Sequence, residues 1–250
     1  MNYLDPLLRS FGYKMVKTAH EVYRSDSIRD ETFRRIYEQC KPYTMTGVER
    51  MYALFRAVSY VAQHDIPGCF AECGVWRGGS AMLMAKTLQH YGITDRKIYL
   101  YDTFEGMSEP SDDDFDLKGG KAADLLKNQQ KSEASSVWCY ASIEDVSANM
   151  YATEYPREHI VVVKGMVENT IPTQSPAEGI ALLRLDTDWY ESTLHELRHL
   201  YPLLNREGVL IIDDYGHWQG CRKAVDEYFA DKKMLFHRID YTGIAGVKTV

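Results

Sequence analysis

The chain has 250 residues, 45% hydrophobic and 26% charged, the balance of a globular protein large enough to bury one sizeable core. Its formal net charge of −7 disfavours a nucleic-acid partner, because phosphate binding needs a basic face. No run of about 18 apolar residues is present to span a membrane, no signal peptide is expected from the stretch that carries Asp5, and the five cysteines (Cys40, Cys69, Cys73, Cys139, Cys221) are odd in number and form no CxxC pair. Reduced thiols, a cytoplasmic location and no structural zinc site are the expectation.

From about Pro6 to Gln63 no strand pattern occurs. Asp30 to Gln39 and Gly47 to Val61 carry apolar residues at helical spacing, for example Val48, Met51, Leu54, Phe55 and Val58. From Gly68 onward strands and helices alternate. Cys69 to Val75 reads as a strand, Ser80 to His90 as a helix and Lys97 to Tyr101 as the next strand. Ile160 to Lys164, Ile180 to Leu185 and Val209 to Ile212 follow as strands, with helices at Glu191 to Leu204 and Gly220 to Asp231. Phe236 to Val250 reads as an antiparallel hairpin around Thr242-Gly243. The alternation predicts a doubly wound α/β sheet, mostly parallel, with right-handed crossovers. Residues 1–63 form a helical front and 64–250 a single compact unit in this reading. The polar interval from Glu105 to Lys121, with Asp112, Asp113, Asp114, Asp116 and Gly119-Gly120, is either a solvated excursion or a lid with a glycine hinge.

Two apolar runs end abruptly in acids: Leu185 is followed by Asp186-Thr187-Asp188, and Ile212 by Asp213-Asp214. Runs of this kind are buried parallel strands, and their carboxyl ends form the rim where open α/β sheets bind ligands. Carboxylates converging there repel one another unless a cation or a hydrogen-bond network holds them. An all-oxygen donor set suits Mg²⁺ better than Zn²⁺. The competing reading is that these are solvated loop acids and helix caps.

The turn Glu72-Cys73-Gly74-Val75-Trp76-Arg77-Gly78-Gly79-Ser80 is neither G-x-G-x-x-G nor a P-loop. What remains is a strand ending in an acid, then glycines that let a ligand approach the backbone. Glu72 suits a ligand with an ammonium group. Asp102, closing the second strand, suits ribose hydroxyls. A nucleoside carrying an amino acid describes S-adenosylmethionine.

Five motifs make the resemblance specific: Glu72 to Ser80, Asp102-Thr-Phe-Glu-Gly-Met107, Val163-Lys-Gly-Met-Val-Glu168, Arg184-Leu-Asp-Thr-Asp-Trp-Tyr-Glu-Ser-Thr193, and Ile212-Asp-Asp-Tyr-Gly-His-Trp-Gln-Gly-Cys-Arg-Lys-Ala-Val-Asp226. With these the chain, from about Thr44 to Phe229, resembles the macrocin O-methyltransferase family of S-adenosylmethionine- and Mg²⁺-dependent enzymes. The resemblance implies a Rossmann-like class I methyltransferase sheet and methyl transfer to a sugar hydroxyl of a glycoside, natural product or bacterial glycan, as in antibiotic biosynthesis. It further implies Asp186, Asp213 and Asp214 as metal ligands and Asp188 as general base; Trp189 stands where more distant relatives carry a lysine. Glu72, Gly74, Ser80 and Asp102, with Gly165, Met166 and Val167 against the adenine, would bind the donor. Tyr43, Met45 and Met51 would contribute to the acceptor pocket, though a core role suits them equally. The front helices would cover the acceptor side and join subunits as a homodimer or higher homo-oligomer. His217 reads as an exposed loop histidine outside the site. Two further readings compete: a nicotinamide-dependent oxidoreductase, disfavoured by the missing G-x-G-x-x-G, and a non-catalytic nucleoside- or glycan-binding module, which has no need of adjacent acids.

Overall fold

The structure is a computed structural model describing residues 28–129 and 138–249; the part of the expected helical front before residue 28 lies outside the described residues. Strands β1 (Cys69–Cys73), β2 (Ile98–Asp102), β3 (Ile160–Lys164), β4 (Ile180–Leu185), β5 (Leu204–Ile212), β6 (His237–Arg238) and β7 (Ile244–Val247) form one sheet in the order β3-β2-β1-β4-β5-β7-β6. The first five are parallel, whereas β7 runs antiparallel to β5 and β6 antiparallel to β7. This is the mostly parallel sheet with a C-terminal hairpin that the alternation predicts.

Helices α1 (Glu31–Cys40), α2 (Val48–Gln63), α3 (Gly79–His90), α4 (Ala122–Lys127), α5 (Ile143–Tyr151), α6 (Val167–Thr170), α7 (Tyr190–His199) and α8 (Gln219–Phe229) complete the described chain. Side chains alternate along a strand, so each face of the sheet collects its own core. Phe70, Leu100, Leu182 and Ile211 pack with Phe33, Met51, Leu54, Phe55 and Leu83 on one face. Ala71, Tyr101, Leu183 and Leu210 pack with Leu197, Trp218 and Val225 on the other. Helices α1 and α2 therefore share a continuous core with α3 and the sheet. Asp30 caps α1, its carboxylate accepting from Phe33 N at 2.9 Å.

Several boundaries differ from the expectation, each for a local reason. Strand β1 stops at Cys73 because the chain turns at Gly74. The helix expected to reach Leu204 ends at His199; Pro202 then sits in a short 3-10 turn, Tyr201–Leu203, and β5 starts at Leu204. Helices α4 and α5 were not expected. The second announces itself through Ser142-Ile143-Glu144-Asp145, in which the Ser142 hydroxyl accepts from Asp145 N at 3.2 Å.

Candidate active site

The strand order reverses between β1 and β4, the position at which open sheets leave a crevice. The two strand ends are stitched together there. Asp186 N donates to Cys73 O at 2.8 Å, and Gly74 N donates to Tyr101 O at 2.9 Å. Gly74 has φ +80°, and a Cβ on it would stand 2.0 Å from the Asp186 carbonyl oxygen. Only glycine fits both demands. Above this seam opens a cleft of about 240 Å³.

One half of the cleft is built from the β1 turn and the ends of β2 and β3. Asp102 is the last residue of β2, and its carboxylate organises the glycine turn: Oδ2 accepts from Val75 N at 2.7 Å and Trp76 N at 3.3 Å, while Oδ1 accepts from Phe104 N at 2.7 Å. Burial pushes its pKa up, and the three backbone N–H groups oppose that shift. Gly165, Met166 and Val167 line the same half from the end of β3.

Acids of β4 and β5 form the other half. Asp186, Asp188 and Asp214 can each offer a carboxylate oxygen within 4.8 Å of the others, and Asp214 Oδ2 is buried with no hydrogen-bond partner. Burial and mutual repulsion raise the pKa values of Asp186 and Asp214 well above the usual carboxylate range. Asp188 is pushed up to about 7, by burial first and then by Asp186 and Asp213 against a hydrogen bond with Asp214. Its backbone is left-handed, φ +69°. A clasp fixes that turn: the Thr187 hydroxyl donates to the fully buried Glu196 carboxyl at 3.0 and 3.2 Å. Burial raises the Glu196 pKa strongly.

Asp213 stands differently from its neighbours. Its Oδ1 accepts from Arg184 Nη2 at 2.7 Å, and its Oδ2 meets Arg50 Nη1 of helix α2. Both oxygens are thus already engaged by guanidinium groups, although Asp213 also lines the cleft.

Met45, Gly74, Asp102, Gly165, Met166, Val167, Asp186, Asp188, Asp213 and Asp214 all line this one cleft. Glu72, Ser80, Tyr43 and Met51 do not. Glu72 is fully buried beneath the floor, where its Oε1 accepts from Ser80 Oγ at 2.5 Å and Arg184 Nη1 at 2.6 Å. It is therefore not positioned to meet a ligand's ammonium group directly. Met51 is fully buried in the core, and the Tyr43 ring lies under the Arg77 guanidinium at 5.1 Å. Cleft residues that sequence reasoning missed include Thr46 and Arg50 from the helical front and Cys139 beside the acids. Arg184 was missed too, and it had left a signal, a lone cation inside the apolar run Ile180 to Leu185.

The acidic interval after β2 is docked. Asp114 is 2% exposed, and its carboxylate accepts from Tyr190 N at the start of α7 (2.8 Å) and from the backbone N (2.7 Å) and hydroxyl (2.8 Å) of Ser111. Gly220 in α8 makes room for it, because a Cβ there would lie 1.8 Å from Asp114 Oδ1. Trp189 Nε1 donates to Ser108 O at 3.1 Å, and Lys223 pairs with Asp113 at 2.7 Å. Gly106, Met107 and Ser108 thereby become a wall of the cleft.

The family model of the macrocin-O-methyltransferases (TylF) matches residues 6–247. The chain belongs to the macrocin O-methyltransferase family. Demethyldecarbamoylnovobiocin O-methyltransferase of Streptomyces niveus is 33% identical over 235 residues, 91% of this chain and 85% of that protein. A tetracenomycin-glycoside 4'-O-methyltransferase of Streptomyces olivaceus, 8-demethyl-8-(2,3-dimethoxy-alpha-L-rhamnosyl)-tetracenomycin-C 4'-O-methyltransferase, is 35% identical over 186 residues, 74% of this chain and 67% of that one. The solved O-methyltransferase NovP superposes with a TM-score of 0.72 at 31% identity, covering 83% of each chain. Calicheamicin methyltransferase CalS11 shares the fold at 18% identity, with a TM-score of 0.59 and 96% of each chain covered. The protein is therefore an O-methyltransferase with the class I sheet of its relatives. Among the described residues no helix is long and apolar enough to cross a membrane.

Proposed function

We propose that this family member moves a methyl group from S-adenosylmethionine to a sugar hydroxyl of a glycosylated small molecule, with a divalent cation, Mg²⁺ by its oxygen donors, at the acidic corner. One observation carries the reading: the Asp102-organised turn with the end of β3, and the carboxylate corner, line a single cleft joined at the Gly74–Asp186 seam. The name of the Streptomyces olivaceus relative, a 4'-O-methyltransferase of a rhamnosyl-tetracenomycin, supports a sugar-bearing acceptor.

Methyl transfer from a sulfonium is an in-line displacement by oxygen, so the donor and the acceptor hydroxyl must be held on one axis. Asp102 and the turn it organises would hold the ribose and amino-acid portions, with Gly165, Met166 and Val167 against the adenine. The buried, unpartnered Asp214 Oδ2 amid three clustered carboxylates fits a hard cation. When bound, that cation supplies Lewis acidity and orientation to a neutral hydroxyl that is otherwise a poor nucleophile. Asp186 and Asp214 would hold it together with Asp213, through lone pairs that its arginine contacts leave open. Asp188, whose carboxyl is pushed up to about 7 by burial and the neighbouring acids before a cation enters, is placed to accept the hydroxyl proton. A second assignment is favoured by its position in the cluster, with Asp188 as third ligand.

The test is methyl-donor turnover over free, nucleotide-linked and natural-product-linked sugars, with Mg²⁺ or EDTA. Asn substitutions at 186, 213 and 214 should each abolish turnover while the fold persists; undiminished turnover in EDTA-treated protein would remove the metal from the reading. Asp188→Asn separates the two assignments: retained metal affinity with lost turnover marks a base, and lost metal affinity marks a ligand. The helical front would also join subunits as a homodimer, and a monomer mass by light scattering would refute that part alone.

A further inference from the structure

The geometry points to Arg184 as a positioning residue: its guanidinium ties the donor turn, the acidic corner and the helical front into one unit and sets the metal-binding carboxylates. This rests on the metal reading above. The sheet itself dictates the arrangement. Glu72 in β1 and Arg184 in β4 are register partners, and Arg184 is paired in turn with Ile211 of β5, two residues before Asp213. Residues of one parity share a face, so Glu72, Arg184 and Asp213 emerge side by side beneath helix α2.

Arg184 is 1% exposed and spends its fork on four partners. Nη1 lies 2.6 Å from Glu72 Oε1 and 2.8 Å from Asp186 Oδ2; Nη2 lies 2.7 Å from Asp213 Oδ1 and 3.0 Å from the Thr46 hydroxyl. A desolvated cation with three hydrogen bonds and a further close ion pair to Asp186 is held by geometry as much as by charge. Glu72, kept from the cleft, anchors Nη1 and is itself fixed by Ser80 of α3. Arg50 of α2 takes the second oxygen of Asp213 and reaches Asp240 at 3.1 Å. Of the acids facing the cleft, Asp186 and Asp213 are therefore oriented by guanidinium groups, whereas Asp214 Oδ2 is left free. An ion entering the corner meets two aimed carboxylates. Thr46 makes the aim depend on the helical front that walls the acceptor side.

Arg184→Lys distinguishes position from charge, since it keeps the cation and loses the planar fork. Mn²⁺ binding to the purified full chain, followed by electron paramagnetic resonance without acceptor, should weaken at least tenfold. Calorimetric S-adenosylhomocysteine affinity should stay within about threefold. Thr46→Val is neutral and nearly isosteric and removes one of the four contacts alone; it should weaken Mn²⁺ about three- to fivefold, the scale of one lost hydrogen bond. It also decides the matter should the lysine variant fail to fold. Mn²⁺ affinity within twofold of wild type in Arg184→Lys, or in Thr46→Val where that variant decides, overturns the inference and leaves the metal reading standing. A wild-type chain that takes up no Mn²⁺ overturns both.

Discussion

The protonation state of the acidic corner predicts an unusual pH dependence of stability. Asp188 has a folded pKa of about 7 against an unfolded value of about 3.9. Between these values the folded chain keeps a proton that the unfolded chain has released, so stability falls as pH rises through 7. The raised values of Asp186 and Asp214 act in the same direction. From pH 5 to pH 7 the Asp188 share spans about two pH units, ~2.7 kcal/mol at 1.36 kcal/mol per unit. Asp188 is partly exposed, and solvent screening removes about half of this, leaving ~1.4 kcal/mol. For a domain of this size that is about 3–6 °C in Tm. A bound divalent cation replaces the proton, so Mg²⁺ should raise Tm more at pH 8 than at pH 5. Scanning calorimetry of EDTA-treated protein at pH 5 and 8, with and without Mg²⁺, reads both effects, and Asp188→Asn should flatten the metal-free slope. A metal-free Tm that is level or rises from pH 5 to pH 8 would refute the assignment of a proton-holding corner.

Asp102→Ala should weaken S-adenosylmethionine binding by about 1–3 kcal/mol, part of it through release of the Val75 and Trp76 N–H groups; unchanged calorimetric affinity would exclude Asp102 from the donor half. Glu196→Ala removes the partner of the Thr187 hydroxyl behind the acidic turn and should destabilise the fold by about 1–3 kcal/mol. It should lower kcat more than donor affinity, and an equal loss in both would mean that the clasp serves the core alone. Asp114→Ala should speed amide exchange across residues 108–120 and cost about 0.5–2 kcal/mol, the scale of a lost helix cap. Exchange as slow as in wild type would show that Trp189 and Lys223 suffice to dock the loop.

The sheet was legible because its strands are short apolar runs with sharp ends, and the acids at those ends mark the cleft. Asp102, Asp186, Asp213 and Asp214 could be located this way because each is the last residue of its strand or follows within two residues of its end. Glu72 misled for the same reason. It stands one residue before the end of β1, and the pleat turns it under the floor toward Arg184, a contact 112 residues away in sequence. No local pattern announces that pairing, although a lone arginine in a buried strand requires an acid somewhere. Met51 shows the reverse case: its helical spacing with Leu54, Phe55 and Val58 marks a core face, and the core is where it lies. The docking of the acidic interval was not legible either. It rests on Asp114 fitting against Gly220, which brings together residues from both halves of the chain.

The helical front is less separable than its sequence suggests. Phe33, Ile36 and Cys40 of α1 are buried in the same core as Leu83 of α3 and Ile211 of β5, so removing α1 would open the core. Helix α2 and the residues just before it go further and deliver Met45, Thr46 and Arg50 to the cleft. Two of these three touch the charge network beneath the acids. Met45 lines the cleft too, but it is 47% exposed and stands outside that network. Substitution at Met45, or at Met107 and Ser108 on the docked loop, leaves that network intact, whereas Thr46 and Arg50 are constrained by the charges they serve.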